Sequence, residues 1–555
     1  MTIRIANASG FYGDRPEAFR ELLEAADVDV LTGDYLAELT MLILARDKAR
    51  DPSLGYARTF AAQFEDCVEL AASRGVRLVV NAGGLNPAGL AARLRELTAD
   101  LKIAHVEGDD LTRRAAELRL GEPLAANAYL GAFGIAECLR RGADVVVTGR
   151  VTDASLVVGP AAAHYGWGRG DLDAIAGAMA AGHVIECGTQ ATGGNYSFFR
   201  GIEDLGHPGF PIAEIEPDGS CVITKARNTG GAVTTGTVTA QLLYEVGGAR
   251  YAGPDAVLRL DSIQLAQEGR DRVRISNVRG EPPPDTLKVG VAALGGYRNE
   301  VTFVLTGLDI EAKADLVKRQ MPGNLTWTLA RTDHENADTT ESASALLHCV
   351  ARSKDPDVAG RRFSEAAVHL ALGSYPGFHL TAPPGAAKPY GVFRSVSVPA
   401  AEVPHVAVLP DGSRIELLHS PLAVPAAQAL APVPEPPLPS TERRGRTRRV
   451  PLGVLAGARS GDKGGDVNLG VWVEEERAWP WLAGFLTLDM VRALLPETAG
   501  LELERHVLPK LRAVNVIVRG LLGEGVAYNA RFDPQAKALG ELLRARFADV
   551  PEELL

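Results

Sequence analysis

The feature that most constrains the fold is an alternation in the N-terminal part of the chain. Short apolar runs (IRIA, VDVL, VRLVV, KIAHV and ADVVV) each end in a loop rich in Gly, Asn, Asp or Thr, and stretches of helical spacing lie between them. Apolar strand, glycine-polar loop and amphipathic helix in succession predict an α/β domain built on a mostly parallel, layered sheet. Strands covered on both faces read as unbroken Val, Ile and Leu, as VRLVV and ADVVV do. Ligand-binding groups in such sheets collect beyond the carboxyl ends of the strands. Here those loops are NASGF, LTGDYLAE, NAGGLNP, VEGDDL and TGRVTDAS.

The chain has 555 residues, more than a single core of roughly 250–300 residues accommodates. The texture changes near 185–200, where β-branched residues and turns such as EPDGS replace the regular alternation. This predicts a mixed second region within a large domain spanning 1–425. Segment 426–450 then carries Pro432, Pro434, Pro436, Pro437 and Pro439, followed by Arg443, Arg444, Arg446, Arg448 and Arg449. Such a stretch reads as a stiff extended linker with a solvated basic end. Residues 451–555 form a small C-terminal α/β domain.

Composition narrows the function. A net charge of -11 argues against a general nucleic-acid binder, whose phosphate contacts need a basic surface. Cys67, Cys138, Cys187, Cys221 and Cys349 are scattered without a CxxC pair, so reduced thiols in a cytoplasmic protein are expected. No signal-length or membrane-length apolar run is present, and no membrane partner is expected.

Several constellations carry candidate chemistry. In SGDKGGDVNLG, Gly461, Gly464 and Gly465 permit a backbone anion nest to which Lys463 adds charge. Asp466 is a candidate acid or base there, and Asn468 a candidate substrate contact two residues on. The spacing matches neither GxxxxGKS nor GxGxxG. In TGRVTDAS, Arg150 can clamp a carboxylate or phosphate in a planar fork, while Asp153 either joins it or caps the next helix. Asp34 and Glu38 are four residues apart and would share a helix face, either as an acid–base pair or as benign first-turn charges. Asn7 and Ser9 after the first strand, and Asn81, Gly83 and Gly84 in NAGG, are candidate ligand contacts. His105, Glu107, Asp109 and Asp110 follow no recognised metal spacing, so no metal ligands are assigned. His183 and Cys187 read as a buried histidine and thiol rather than a nucleophilic pair. The polar loop holding Asp333, His334 and Glu335 is expected at the surface.

The segments RIANASGFYGDR, LTGDYLAELTM, ADVVVTGRVTDASLVVGP and RSGDKGGDVNLG together resemble the acyclic terpene utilisation protein A family over nearly the full length. The resemblance implies a ferredoxin-like fold for the C-terminal domain. It also implies a place in the breakdown of branched acids as CoA thioesters, and so lyase or hydratase action on a branched acyl-CoA or related small carboxylic acid. The residues proposed for that chemistry are Asp34, Glu38, Lys463 and Asp466, with backbone N–H groups holding an enolate oxygen. The alternatives are a non-catalytic binding or scaffolding subunit and a thioester hydrolase, although no G-x-S-x-G elbow is present. With no redox motif in sight, no cofactor is expected. A homo-oligomer is.

Overall fold

The computed structural model describes residues 2–439 and 445–555. Arg443 and Arg444 of the basic cluster lie outside the described residues. The chain divides into two compact units. The larger comprises Met1–Ala292, Arg394–Leu521 and Ala536–Leu555, and the smaller Ala293–Phe393 with Leu522–Gln535.

The first strands of the larger unit are β1 (Ile3–Asn7), β2 (Val30–Gly33), β3 (Arg77–Val80), β4 (Ile103–Glu107), β5 (Ala125–Ala128) and β6 (Val145–Thr148). The centre of its 11-stranded sheet runs β1-β2-β3-β6-β4, each neighbour parallel. Antiparallel strands extend both sides. Pro211–Ile215 pairs with β1 and turns at EPDGS into Cys221–Lys225, and Val406–Val408 pairs with β4. The sheet is therefore mixed, with the expected parallel order confined to its centre. β5 lies off this sheet and pairs with Val289–Ala292.

Strand alternation sorts the core into two layers. Leu78, Val80, Val145 and Val147 join a cluster with Phe19, Phe60, Phe64 and Leu90 on one face. Val79 and Val146 join Ile135, Val157 and Ile175 on the other. The helix Leu172–Ile185 in this second layer is buried along nearly its whole length, because AIAGAMAAGHVI offers small side chains all round. Its end delivers His183 and Glu186 to the carboxyl edge of the sheet.

The C-terminal sheet has the order Ala456–Lys463, Asp466–Val473, Ala513–Val518, Leu503–Leu508, antiparallel throughout. The stretch expected to be a glycine loop is mostly a β-hairpin. Lys463 pairs with Asp466 across Gly464–Gly465, and Gly464 takes φ +65° at the first turn position, where glycine is favoured. The preceding N–H groups belong to a strand ladder, so the nest reading does not hold for them. Thr447–Pro451, at the end of the linker, pairs with Phe547–Pro551.

In the smaller unit, Ser344–Ser353 pairs with Leu325–Ala330 on one side and with residues 297–306 on the other. Its core centres on Phe303, Leu347, Phe363 and Tyr375. His334 and Glu335 are exposed, and Asp333 pairs with Arg331.

Candidate active site

The loops after β1, β2, β3 and β6 converge, as the class of sheet requires. Their amides act as scaffolding. The Asn7 side-chain amide donates to the carbonyls of Ser9, Ile185 and Glu186, each at 2.9 Å, and accepts from Thr32 Oγ1. It thereby pins the end of the buried helix to β1. Ser9 Oγ donates to the Phe11 carbonyl at 3.1 Å. Asn81 Nδ2 donates to Asp34 Oδ1 at 2.6 Å, and its Oδ1 accepts the Tyr35 N–H at 2.7 Å. Gly83 and Gly84 form the turn after β3, where the Gly84 N–H donates to the Asn81 carbonyl at 3.1 Å.

At the centre stand three carboxyl groups. Asp34 follows β2, Asp153 follows β6 and Glu186 follows the buried helix, and ligand oxygens from all three lie within 4.8 Å of one another. Arg150 is 4% exposed and enters the group from the β6 loop. Its Nη2 donates to Asp153 Oδ1 at 2.7 Å and its Nη1 to the Leu36 carbonyl at 2.8 Å. The guanidinium lies over the Tyr129 ring at 4.2 Å, and Lys288 Nζ approaches the same ring at 4.4 Å. Burial, reinforced by the Asp153 charge, raises the Asp34 and Glu186 carboxyls well above the usual carboxylate range, and Arg150 only partly offsets this. His183 Nδ1 lies 3.0 Å from Glu186 Oε1 without hydrogen-bond alignment, and burial lowers this imidazole to about 4.

A second set of charges comes from farther along the chain. Glu38, Glu245, Lys288 and Lys463 sit within electrostatic reach of one another and of the central acids. Lys463 Nζ donates to the Glu245 carbonyl at 2.8 Å. Its side chain is exposed to solvent. Partial desolvation by the protein around it and the nearby Lys288 ammonium lower its pKa. Burial raises neighbouring Asp462 to about 7, with help from Glu245 and Glu38. Glu245 holds φ +57°, a left-handed conformation that a glutamate keeps only when its surroundings impose it. The surroundings are visible. Its N–H donates to Asn468 Oδ1 at 2.8 Å, Asn468 bonds Asn515, and Asn515 reaches the Val246 carbonyl at 3.3 Å. Gly461 admits the adjacent Tyr244, whose ring would lie 2.4 Å from any added Cβ. The C-terminal sheet thus fixes the Tyr244–Val246 turn while its hairpin tip supplies Asp462 and Lys463.

The structure brings Asp34, Glu38, Arg150, Asp153 and Lys463 into one neighbourhood, with Asn81 bonded to Asp34. Two premises of the sequence reading change. Asp34 and Glu38 do not share a helix face, since Asp34 lies in the loop and the helix begins at Glu38. Asp153 is not the helix cap, because the helix starts at Ser155 behind Ala154 and the Asp153 carboxylate turns to Arg150. Asp466 is committed elsewhere, accepting from Arg519 Nη1 at 2.6 Å and from the Gly520 N–H at 2.8 Å. Glu186, Glu245, Lys288 and Tyr129 are site residues that sequence reasoning passed over. The Cys187 thiol is raised by burial and by Glu186, which keeps it protonated. His105 and Glu107, two residues apart on β4, bond each other at 2.8 Å.

Among the described residues no helix is long and apolar enough to cross a membrane. No curated protein matches the chain. Residues 3–409 match the family described as acyclic terpene utilisation family protein AtuA, and residues 450–547 match the AtuA ferredoxin-like domain. With a sheet, a convergent site and both family matches in register, the chain belongs to the AtuA family, its ferredoxin-like domain fused behind the large α/β domain.

Proposed function

We propose that the protein is an enzyme of the hydro-lyase type, adding water to or removing it from a small branched carboxylic acid or its CoA thioester in a degradation pathway. The observation that carries this reading is geometric: the carboxyls of Asp34, Asp153 and Glu186 lie within 4.8 Å of one another beside the buried Arg150 guanidinium, which bonds Asp153. Removal of water from a β-hydroxyacyl compound needs a base to take the α-proton and an acid to protonate the departing hydroxyl. Adjacent carboxyls in one site can supply both. Lys288 and Lys463 face the same space and would hold a carboxylate or the enolate oxygen that develops as the α-proton leaves. In the reverse direction the group that took the α-proton returns it to the α-carbon, and the group that protonated the hydroxyl takes a proton from the attacking water.

Incubation of the full chain with branched enoyl- and β-hydroxyacyl-CoAs and their free acids, read by mass spectrometry, tests the proposal. A gain or loss of one water in one substrate is the expected result. Release of free CoA alone would mark a thioester hydrolase instead. No change across the panel would overturn the reading.

A further inference from the structure

We propose that Asp34, Asp153 and Glu186 form a binding site for one hard divalent cation: magnesium, manganese or calcium. The donors are all carboxylate oxygens, the ligand type such ions select. Their mutual separations, none above 4.8 Å, suit ligands around one ion. Metal–oxygen distances of 2.0–2.6 Å put ligand oxygens about 3 to 5 Å apart.

Two further observations point to a ligand at this place. Glu186 is 9% exposed, and its Oε2 has no hydrogen-bond partner among the described residues although its carboxylate reaches into the group. A buried carboxylate oxygen without a donor is costly, and a cation would satisfy it. The other observation is charge. Asp34, Asp153 and Glu186, ionised together, carry three negative charges, and the Arg150 guanidinium among them carries one positive. The remainder matches the charge of a divalent ion. The outer charges do not remove it, since Lys288 and Lys463 face Glu38 and Glu245 as well. Asn81 on Asp34 and Arg150 on Asp153 would orient the ligating carboxylates from outside.

Any catalytic use of the ion rests on the hydro-lyase reading, whereas its binding does not, so the test reads binding. Chelator-treated full-length protein is titrated separately with magnesium, manganese and calcium chloride while thermal unfolding is followed, and bound manganese is counted by electron paramagnetic resonance. We expect Tm to rise with at least one cation and manganese to bind at one ion per chain. Glu186→Gln and Asp153→Asn should abolish both effects. Glu186→Gln should unfold no lower than wild type without cation, because a crowded carboxyl has been removed. Should it fail to fold, Asp34→Asn, whose amide oxygen keeps the Asn81 contact, makes the same test. Asp466→Asn, on the far side of the hairpin turn, should retain the full response. Absence of stoichiometric manganese binding and of any Tm shift at millimolar cation would overturn the site. So would a response that persists in Glu186→Gln and Asp153→Asn. A cation response without turnover would leave the site standing while the hydro-lyase reading fails.

Discussion

Glu107 and Glu186 both stand at the ends of regular elements near the carboxyl edge of one sheet, and the protein treats them in opposite ways. Glu107 lies between His105 Nε2 at 2.8 Å and the Arg414 guanidinium at 2.9 Å, and these partners pull it down to about 2. Glu186 shares its surroundings with other acids and is pushed up by burial and by the charges of Asp153 and Glu245. Asp109 falls between them. It accepts from the Arg150 N–H at 2.9 Å and Asn127 Nδ2 at 2.8 Å, but neither donor is charged, and burial raises it to about 7. A count of acids does not separate the two regions. What separates them is how far each carboxyl's charge is answered, and the region left short of positive charge is the one with capacity for chemistry.

The comparison breaks most violently at Arg150. Arg150→Ala would leave Asp153 and the Leu36 carbonyl without their donor in a buried setting. Removing one partner of such a pair destabilises by about 3–5 kcal/mol. Urea unfolding at pH 7 should show that loss, and a loss below about 1 kcal/mol would mean that water already solvates the group. At Glu186 the expected effect is on rate. With the substrate found by the panel, Glu186→Gln should lower kcat by about a hundredfold or more, the usual contribution of a positioned acid. An unchanged kcat would move the proton donor elsewhere.

Much of this contrast was legible in the sequence, and the reasons for the rest are physical. The strand-end rule pointed to Asp34, Asn81, Arg150 and Asp153 because each lies in the loop that follows a short apolar strand. Lys463 was legible through its glycine-rich context, although that context proved to be a hairpin. Glu186 was not legible, since it follows a helix of Ala and Gly whose burial on every side carries no amphipathic signal. Lys288 and Tyr129 depend on β5, whose sequence AANA has no strand-forming residue and is placed only by pairing with Val289–Ala292. Glu245 depends on a left-handed turn imposed by Asn468 and Asn515, far away in the chain. Asp466 reads in sequence as a candidate acid or base, but Arg519 across the sheet claims its carboxylate.

The intermediate case, Asp109, sharpens the comparison through pH. Its folded-state value of about 7 lies above the ordinary one near 3.9. Between those values the folded protein holds a proton that the unfolded chain has released. This contribution is complete below about pH 4 and is lost as pH rises through about 7. Asp109→Asn preserves the acceptor for Arg150 and Asn127 and removes the titration. The variant should therefore gain on wild type by on the order of 3 kcal/mol between pH 4.5 and pH 8 in denaturant unfolding. An equal difference at both pH values would show that Asp109 is ionised throughout.

The smallest effect is expected at Glu107, and its sign is the reverse. Its folded-state pKa is depressed, so its contribution is present above the ordinary carboxylate value and is lost as pH falls through about 2. The side chain is 28% exposed and Arg414 58% exposed, so solvent screens the pair. Glu107→Gln should therefore cost only about 1 kcal/mol at pH 7. The cost should shrink in 1 M salt, where exposed charges are screened within about 3 Å. It should vanish in strong acid, while turnover and cation response stay at wild-type levels. A loss of turnover in this variant would place a fully answered acid inside the chemistry and dissolve the distinction between the two regions.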